Sequence, residues 1–511
     1  MVRVVDLSQA VEASPGPAPY HAPPHYNHHE YLDDNFHRSE LMGLVDVDRL
    51  DLGDDGQPCL EVTMSVDPMG SHAELYWLDD RVMFGRLPAD KRHLIRDVTQ
   101  LPIQRMCGPA AIVDLTDFGP GEEIGVRTLE ERGAHIRRDD IVILKTGYSE
   151  AVNEKGLKFS QDNYEASPGL SAEAGSWLAQ RGIKALAMDT RSPEVESKVW
   201  KDPDRTISFP VHRTMHEIGA VIVEDLTNVT RVKSSRVYAV CGMPLKASGL
   251  SGGAARFVVV DDQGNLTDLS NPISSHPRDL PALATAGRSE DWARRAEIFR
   301  RLRIQKISFT GLGYGYPGGM PDWAEFVTFN TRLGTHVIAP SRGDATGGAT
   351  HLSPRQVWGS ARVARVPGAG PESAISAADL ESALSNGYGG EAVIIRTAYS
   401  DWHYTNPEYW LRSPYLTVDA VDWLVAHKAP LVVCDFPSVD SACDSLAAPR
   451  QQALLDAGIP VVLSATNLWM LRRDTVTLAC LSLPIEGLDN SPVRLVAFEG
   501  AIDRSAIESG T

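Results

Sequence analysis

Short apolar runs of strand length, each followed by an amphipathic stretch, recur along the chain in an order that appears twice. Val142-Ile143-Leu144-Lys145 and Val393-Ile394-Ile395-Arg396 are continuous runs rich in β-branched residues, as expected of buried strands, and lead into Thr146-Gly147-Tyr148-Ser149 and Thr397-Ala398-Tyr399-Ser400. Leu170-Ser171 and Leu416-Thr417 then open helices, with a hydroxyl residue at the N-cap, an acid in the first turn (Glu173, Asp419) and a Trp-Leu pair further on (Trp177-Leu178, Trp423-Leu424). Twelve residues after each Trp an aspartate, Asp189 or Asp435, closes a further apolar strand, Ala185 to Met188 or Leu431 to Cys434.

The remaining landmarks keep the same order. Gly70-Ser71-His72 matches Gly334-Thr335-His336, Asn228 matches Asn467, and Pro244-Leu245 matches Pro484-Ile485. Arg256 precedes a terminal strand (Phe257 to Val260) as Arg494 does (Leu495 to Phe498). Such self-similarity marks an internal repeat, and strands alternating with helices mark an α/β class. The chain therefore reads as two divergent copies of one domain: copy one at residues 1–262, a polar, Pro-rich linker with a basic helix at 263–301, and copy two at 302–511. Copy one alone holds an insertion, 15–57, dense in Pro, His and Tyr. It reads as a surface loop, with a lid or a donor of substitute metal ligands as the alternative.

At 511 residues the length suits two large domains. A net charge of −18, from 49 Lys plus Arg against 67 Asp plus Glu, argues against nucleic acid, since a phosphate backbone would be repelled unless a basic stripe overrode it. The densest basic run, Arg294 to Arg303, is interleaved with Ala, Ile, Phe and Leu as in a solvated helix face. No apolar run is long enough to span a bilayer, and the first residues lack a secretory pattern. The six cysteines form no C-x-x-C pair. A reducing, cytoplasmic location and a small-molecule substrate are the resulting expectations.

In copy one, His72 and Glu74 lie two apart, so on a strand both project from the same face. Downstream, Phe209-Pro210-Val211-His212 leads into a helical pattern, and Glu224 ends the apolar strand Val221 to Val223. Charges at strand ends are where α/β folds place ligands. Two imidazoles and two carboxylates suit a borderline divalent ion, Zn²⁺ or Mn²⁺, leaving room for water. His212 and His216 also share one helical face beside Glu217, but that glutamate lies outside the pair, so a zincin site is not expected. The glycines from Gly311 to Gly319 read as turn chemistry.

Val5-Asp6-Leu7-Ser8, Gly70-Ser71-His72, Pro168-Gly169-Leu170-Ser171, Phe209-Pro210-Val211-His212 with Glu224, and Pro244-Leu245 together resemble the ordered signatures of the cyclase superfamily, which includes bacterial kynurenine formamidase, isatin hydrolase and aromatic polyketide cyclases. The resemblance covers nearly all of copy one and, more faintly, most of copy two. It implies a swivelling β/β/α-like fold in each copy, an intramolecular pseudo-dimer, and metal held through H-x-G-T-H-x-D-x-P-x-H plus a later His and Glu twelve residues apart. The later pair fits as His212 and Glu224. In the first motif Pro68, Glu74, Tyr76 and Leu78 replace His, Asp, Pro and His, so one ion is expected rather than two, on His72, Glu74, His212 and Glu224, with Asp67 or Asp79 as replacements. Copy two has Arg332, Ile338, Arg342, Gln451 and Leu463 at the corresponding places, and no metal is expected there.

The resemblance gives His212 the role of ligand or proton carrier, Glu224 that of ligand or base, and His72 that of a site residue. Three readings stay open: hydrolysis of an amide, formamide or lactam; aldol-type ring closure of a polyketide; and a metal-free scaffold. Whether fused pairs associate further is also open.

Overall fold

The computed structural model describes residues 2–8, 71–74, 98–99, 101–154, 166–195, 209–244, 252–270, 331–332, 334–340, 348–400, 409, 412–441, 448–483 and 490–500, with Lys246 and the backbone of short strands at 25–27, 51–52, 58–59, 61–65 and 326–330. The insertion 15–57, apart from two of those strands, the basic run 294–303, the glycines 311–319, and Asp67 and Asp79 lie outside the described residues.

Each copy folds around one mixed sheet. In copy one the strands Val221–Glu224, Ala185–Met188, Ile141–Lys145 and Cys107–Asp114 lie side by side and parallel, with Ile141 in register with both Ala185 and Ala110. Every residue of Ile141–Lys145 is buried, which is why the run is apolar without alternation. His72–Glu74 is added antiparallel beyond Val221–Glu224, and Arg236–Gly242 and Arg256–Val260 extend the other side. Copy two repeats this order with Val461–Leu463, Val432–Cys434, Ala392–Arg396 and Trp358–Arg365, flanked by His336–Ile338 and Thr475–Ser482.

The expected helices form at Ala172–Arg181 and Val418–Ala426. Ser171 caps the first by accepting from the Ala174 amide, and Leu178 is buried while Arg181 lies over the Trp177 ring. Thr417 holds the N-cap position of the second, but its hydroxyl donates to the Ile375 carbonyl instead of capping. Asp189 and Asp435 serve one structural purpose in both copies: each accepts from the amide and hydroxyl of the threonine that follows the neighbouring strand, Thr146 or Thr397.

Two boundaries differ from the expectation. The strand Arg3–Asp6, placed by sequence in the domain 1–262, pairs antiparallel with Asn490–Glu499 in the sheet of copy two. Within the segment read as the linker 263–301, Leu266–Asp268 is a strand of copy one's sheet, paired with Arg256–Val260. The two strands are held alike. Arg494 donates to Asp6 and Arg256 to Asp268; Asn467 donates to the Asp6 carbonyl and Asn228 to that of Asp268, both at 3.1 Å. Ser8 accepts from the Leu495 amide and Ser270 from the Phe257 amide. Tetrapeptides 5–8 and 267–270 are thus equivalent, each opening one copy in sequence while completing the sheet of the other.

Apolar packing is continuous between the copies. Val240 and Phe257 share a buried cluster with Leu481 and Leu495, and the Tyr238 ring meets Trp358 and Phe498 with centroids 6.5 and 5.9 Å away. The backbones of Glu61–Ser65 and Phe326–Asn330, which precede the two Gly-Ser/Thr-His motifs, also pair antiparallel with each other.

Candidate metal centre in copy one

His72 and Glu224 are direct cross-strand partners, so their side chains leave the sheet on one face. The His72 Nε2 lies 3.1 Å from Glu224 Oε2, and both side chains are buried. His212 reaches the same carboxylate from the helix Pro210–Glu217, its Nε2 3.2 Å from Glu224 Oε1. That oxygen is buried and has no aligned hydrogen bond. Sequence positions 72, 212 and 224 therefore converge. Glu74 is placed by its backbone, in register with Ile222 and Gly252, two residues from His72 on the same strand; its side chain lies outside the described residues.

Two close approaches fix the helix that carries His212. Gly175 faces Val211 so tightly that a Cβ there would meet Val211 Cγ2 at 3.0 Å. Gly169 lies beneath the Glu194–Val195 peptide, where a Cβ would stand 2.2 Å from the Glu194 carbonyl carbon. The Leu170 amide donates to the Pro193 carbonyl, tying that turn down.

Glu194 was not among the residues singled out from sequence. Its Oε1 accepts from the amides of Val211 and His212 at 2.7 and 2.9 Å, and its Oε2 lies 2.7 Å from His212 Nδ1 and 3.1 Å from the Ser192 hydroxyl. Spacing offers a signal for it, because Glu194 follows Asp189 by five residues as Asp440 follows Asp435.

Burial alone would lower the His212 pKa, but the charge and hydrogen bonding of Glu194, with Glu224, outweigh burial and hold it well above the ordinary imidazole value. Burial raises Glu224, yet its contacts with His212 and His72 bring it below the usual carboxylate value. His216 packs edge-on to His212 and is pushed down to about 3 by burial and by the His212 charge. It therefore stays neutral at physiological pH. Glu217 pairs with Arg213.

The donors suit a borderline divalent cation in type: two imidazole nitrogens and a carboxylate, with one imidazole oriented by a second carboxylate. Ligand atoms around a tetrahedral Zn²⁺ stand about 3.4 Å apart when each bond is about 2.1 Å, close to the separations seen here. Among the described residues, however, no group of three or more His, Cys, Asp or Glu is arranged to hold a metal ion. The pocket is drawn together by direct imidazole–carboxylate contacts.

The same place in copy two has different chemistry. His336 pairs across the strands with Leu463, and Gln451 stands where copy one has His212. Buried Tyr409 links Ser400 and Ser464 through its hydroxyl, at 2.6 and 3.1 Å.

Among the described residues, no helix is long and apolar enough to cross a membrane, and Cys107, Cys241, Cys434 and Cys480 are buried free thiols.

No curated protein matches the chain by sequence. Among solved structures it is similar to an isatin hydrolase bound to the product analogue thioisatinate, at 19% identity over 39% of this chain and 81% of that one, with a TM-score of 0.32. It is also similar to isatin hydrolase A from Ralstonia solanacearum (18% identity, 50% and 91% covered, TM-score 0.30) and to a predicted metal-dependent hydrolase from Bacillus stearothermophilus (17%, 38% and 86%, 0.30). The model of the putative cyclase family matches residues 5–195 and again 267–441, more than half of the sequence and once in each copy, so the chain belongs to that family as a tandem of two divergent members.

Proposed function

We propose that copy one is a hydrolase that uses one divalent cation, Zn²⁺ or Mn²⁺, to open an amide, formamide or lactam. The observation that supports this most is the meeting of His72, His212 and Glu224, remote in sequence, at one buried point. These three side chains would hold the ion, joined in this reading by Glu74 from the same strand as His72. A bound cation would polarise a carbonyl oxygen and lower the pKa of a water from about 16 toward about 7. Glu224 or His212 would carry a proton between water and the leaving nitrogen. Neutral His216 and Phe209, edge-on to His212, line the helix side and limit the access of solvent.

Family membership also supports a second reading, in which a base in this pocket removes a proton next to a carbonyl and an aldol-type ring closure follows. Turnover assays separate the two. Chain supplied with Zn²⁺ or Mn²⁺ should hydrolyse isatin or N-formylkynurenine, with activity lost on chelation and in Glu224→Gln. Cyclisation of a poly-β-ketone mimic without hydrolysis would favour ring closure instead. Turnover of neither substrate class, with no metal retained, would leave a scaffold.

We infer further that the two copies form an intramolecular pseudo-dimer in which copy two supports the live site. The exchanged strands 3–6 and 266–268 and the shared apolar cluster support this arrangement. A small-molecule substrate, a cytoplasmic setting and any association of fused pairs belong to the same proposal.

A further inference from the structure

Glu194 and Asp440 occupy equivalent turns, five residues after Asp189 and Asp435 respectively, and each caps the helix that follows. Asp440 spends both oxygens on the cap: Oδ1 accepts from the Arg450 amide and Oδ2 from the Gln451 amide. Glu194 takes both amides on Oε1 and leaves Oε2 for the ring of His212. The extra methylene, and the different use of the two oxygens, distinguish a cap that also reaches a side chain from one that does not.

We propose that Glu194 is a positioning residue of the copy-one site, capping the helix Pro210–Glu217 and accepting the Nδ1–H of His212 so that Nε2 is directed at Glu224. An ionised carboxylate only accepts hydrogen bonds, so the proton on this edge of the ring must be on Nδ1. The partner is fully committed: Ser192 donates to Oε2, and the side chain is buried. Rotation of the ring would break a 2.7 Å contact and present Nδ1 to the second carboxylate. The inference rests on His212 being a site residue, as in the reading above, but its test needs no turnover.

The experiment is long-range ¹H–¹⁵N correlation on the full chain with ¹⁵N-labelled histidine and chelator present, His212 being assigned from its loss in His212→Gln. Wild type should show both ring nitrogens protonated, with the Nδ1 proton in the hydrogen bond to Glu194. In Glu194→Gln the amide oxygen keeps the cap while the amide N–H₂ faces the ring, so Nδ1 should lose its proton while Nε2 keeps the one it donates to Glu224. In Glu194→Asp the cap should persist, as in copy two, while the Nδ1 hydrogen-bond signature is lost. Asp440→Asn should leave the His212 signals unchanged. With Zn²⁺ as probe, both Glu194 variants should bind about 10–100-fold more weakly than wild type. Unchanged His212 signals in both Glu194 variants would overturn the proposal even if hydrolysis were confirmed. A moved signal with no hydrolysis would leave it standing and remove only the functional reading.

Discussion

His72 and Glu224 face each other across adjacent antiparallel strands, whereas their equivalents in copy two are His336 and Leu463. One substitution thus separates a buried imidazole–carboxylate pair from an imidazole against an aliphatic wall. Replacing Glu224 by Gln keeps the shape and removes the charge that both imidazoles contact. The expected result is a fall in kcat/KM of about 10²-fold or more with the fold intact, read from steady-state kinetics and circular dichroism.

Asp6 sets a pH dependence on the first exchanged strand. Burial would raise its pKa, but buried Arg494 and Lys246 outweigh that and hold it below the ordinary value. A depressed folded pKa adds stability above the unfolded value of about 3.9, and that stability is lost as pH falls through the folded value. Asp6→Asn should therefore cost roughly 3 kcal/mol in denaturant melts at pH 7, because it leaves Arg494 buried without its partner, and clearly less once the pH has fallen through the depressed folded value of Asp6. Equal penalties at both pH values would contradict the assignment.

Tyr409 joins Ser400 and Ser464 at the centre of copy two. Tyr409→Phe leaves buried hydroxyls short of a partner and should cost about 1–3 kcal/mol of stability. Hydrolysis by copy one should be unchanged at temperatures where the variant remains folded.

Gly169 admits the Glu194 turn only because it lacks a side chain. Gly169→Ala forces backbone apart at a site with no flexible atom to yield, for a cost of about 1–3 kcal/mol. Because the turn carries Glu194, Zn²⁺ affinity should fall as well. Gly175→Ala, which presses only on a valine side chain, should be milder in both measurements.

Much of this was legible in the sequence because it lay in repeated spacing. Asp189 and Asp435, Asn228 and Asn467, and Arg256 and Arg494 occupy matched places in the two sheets. His72, His212 and Glu224 were marked by residue type at strand and helix ends. Glu194 was missed because a glutamate in a Ser-Pro-Glu turn has no periodicity of its own; its meaning comes from a helix that begins sixteen residues later. The exchanged strands were missed for another reason. A short strand has the same pattern whichever sheet it joins, and the hydrogen-bonding partner is decided by long-range packing. The segment 266–270 also lies in a polar surrounding that reads as a linker, although its Asp-Leu-Ser repeats residues 6–8.

The most direct test is metal stoichiometry by elemental analysis after loading with Zn²⁺ and desalting, in wild type and in His72→Ala, Glu224→Ala, His212→Ala and His336→Ala. The account predicts one equivalent per chain in wild type and in His336→Ala, and loss of that equivalent in each of the three copy-one variants. Two equivalents per chain, or one that survives replacement of Glu224, would contradict it.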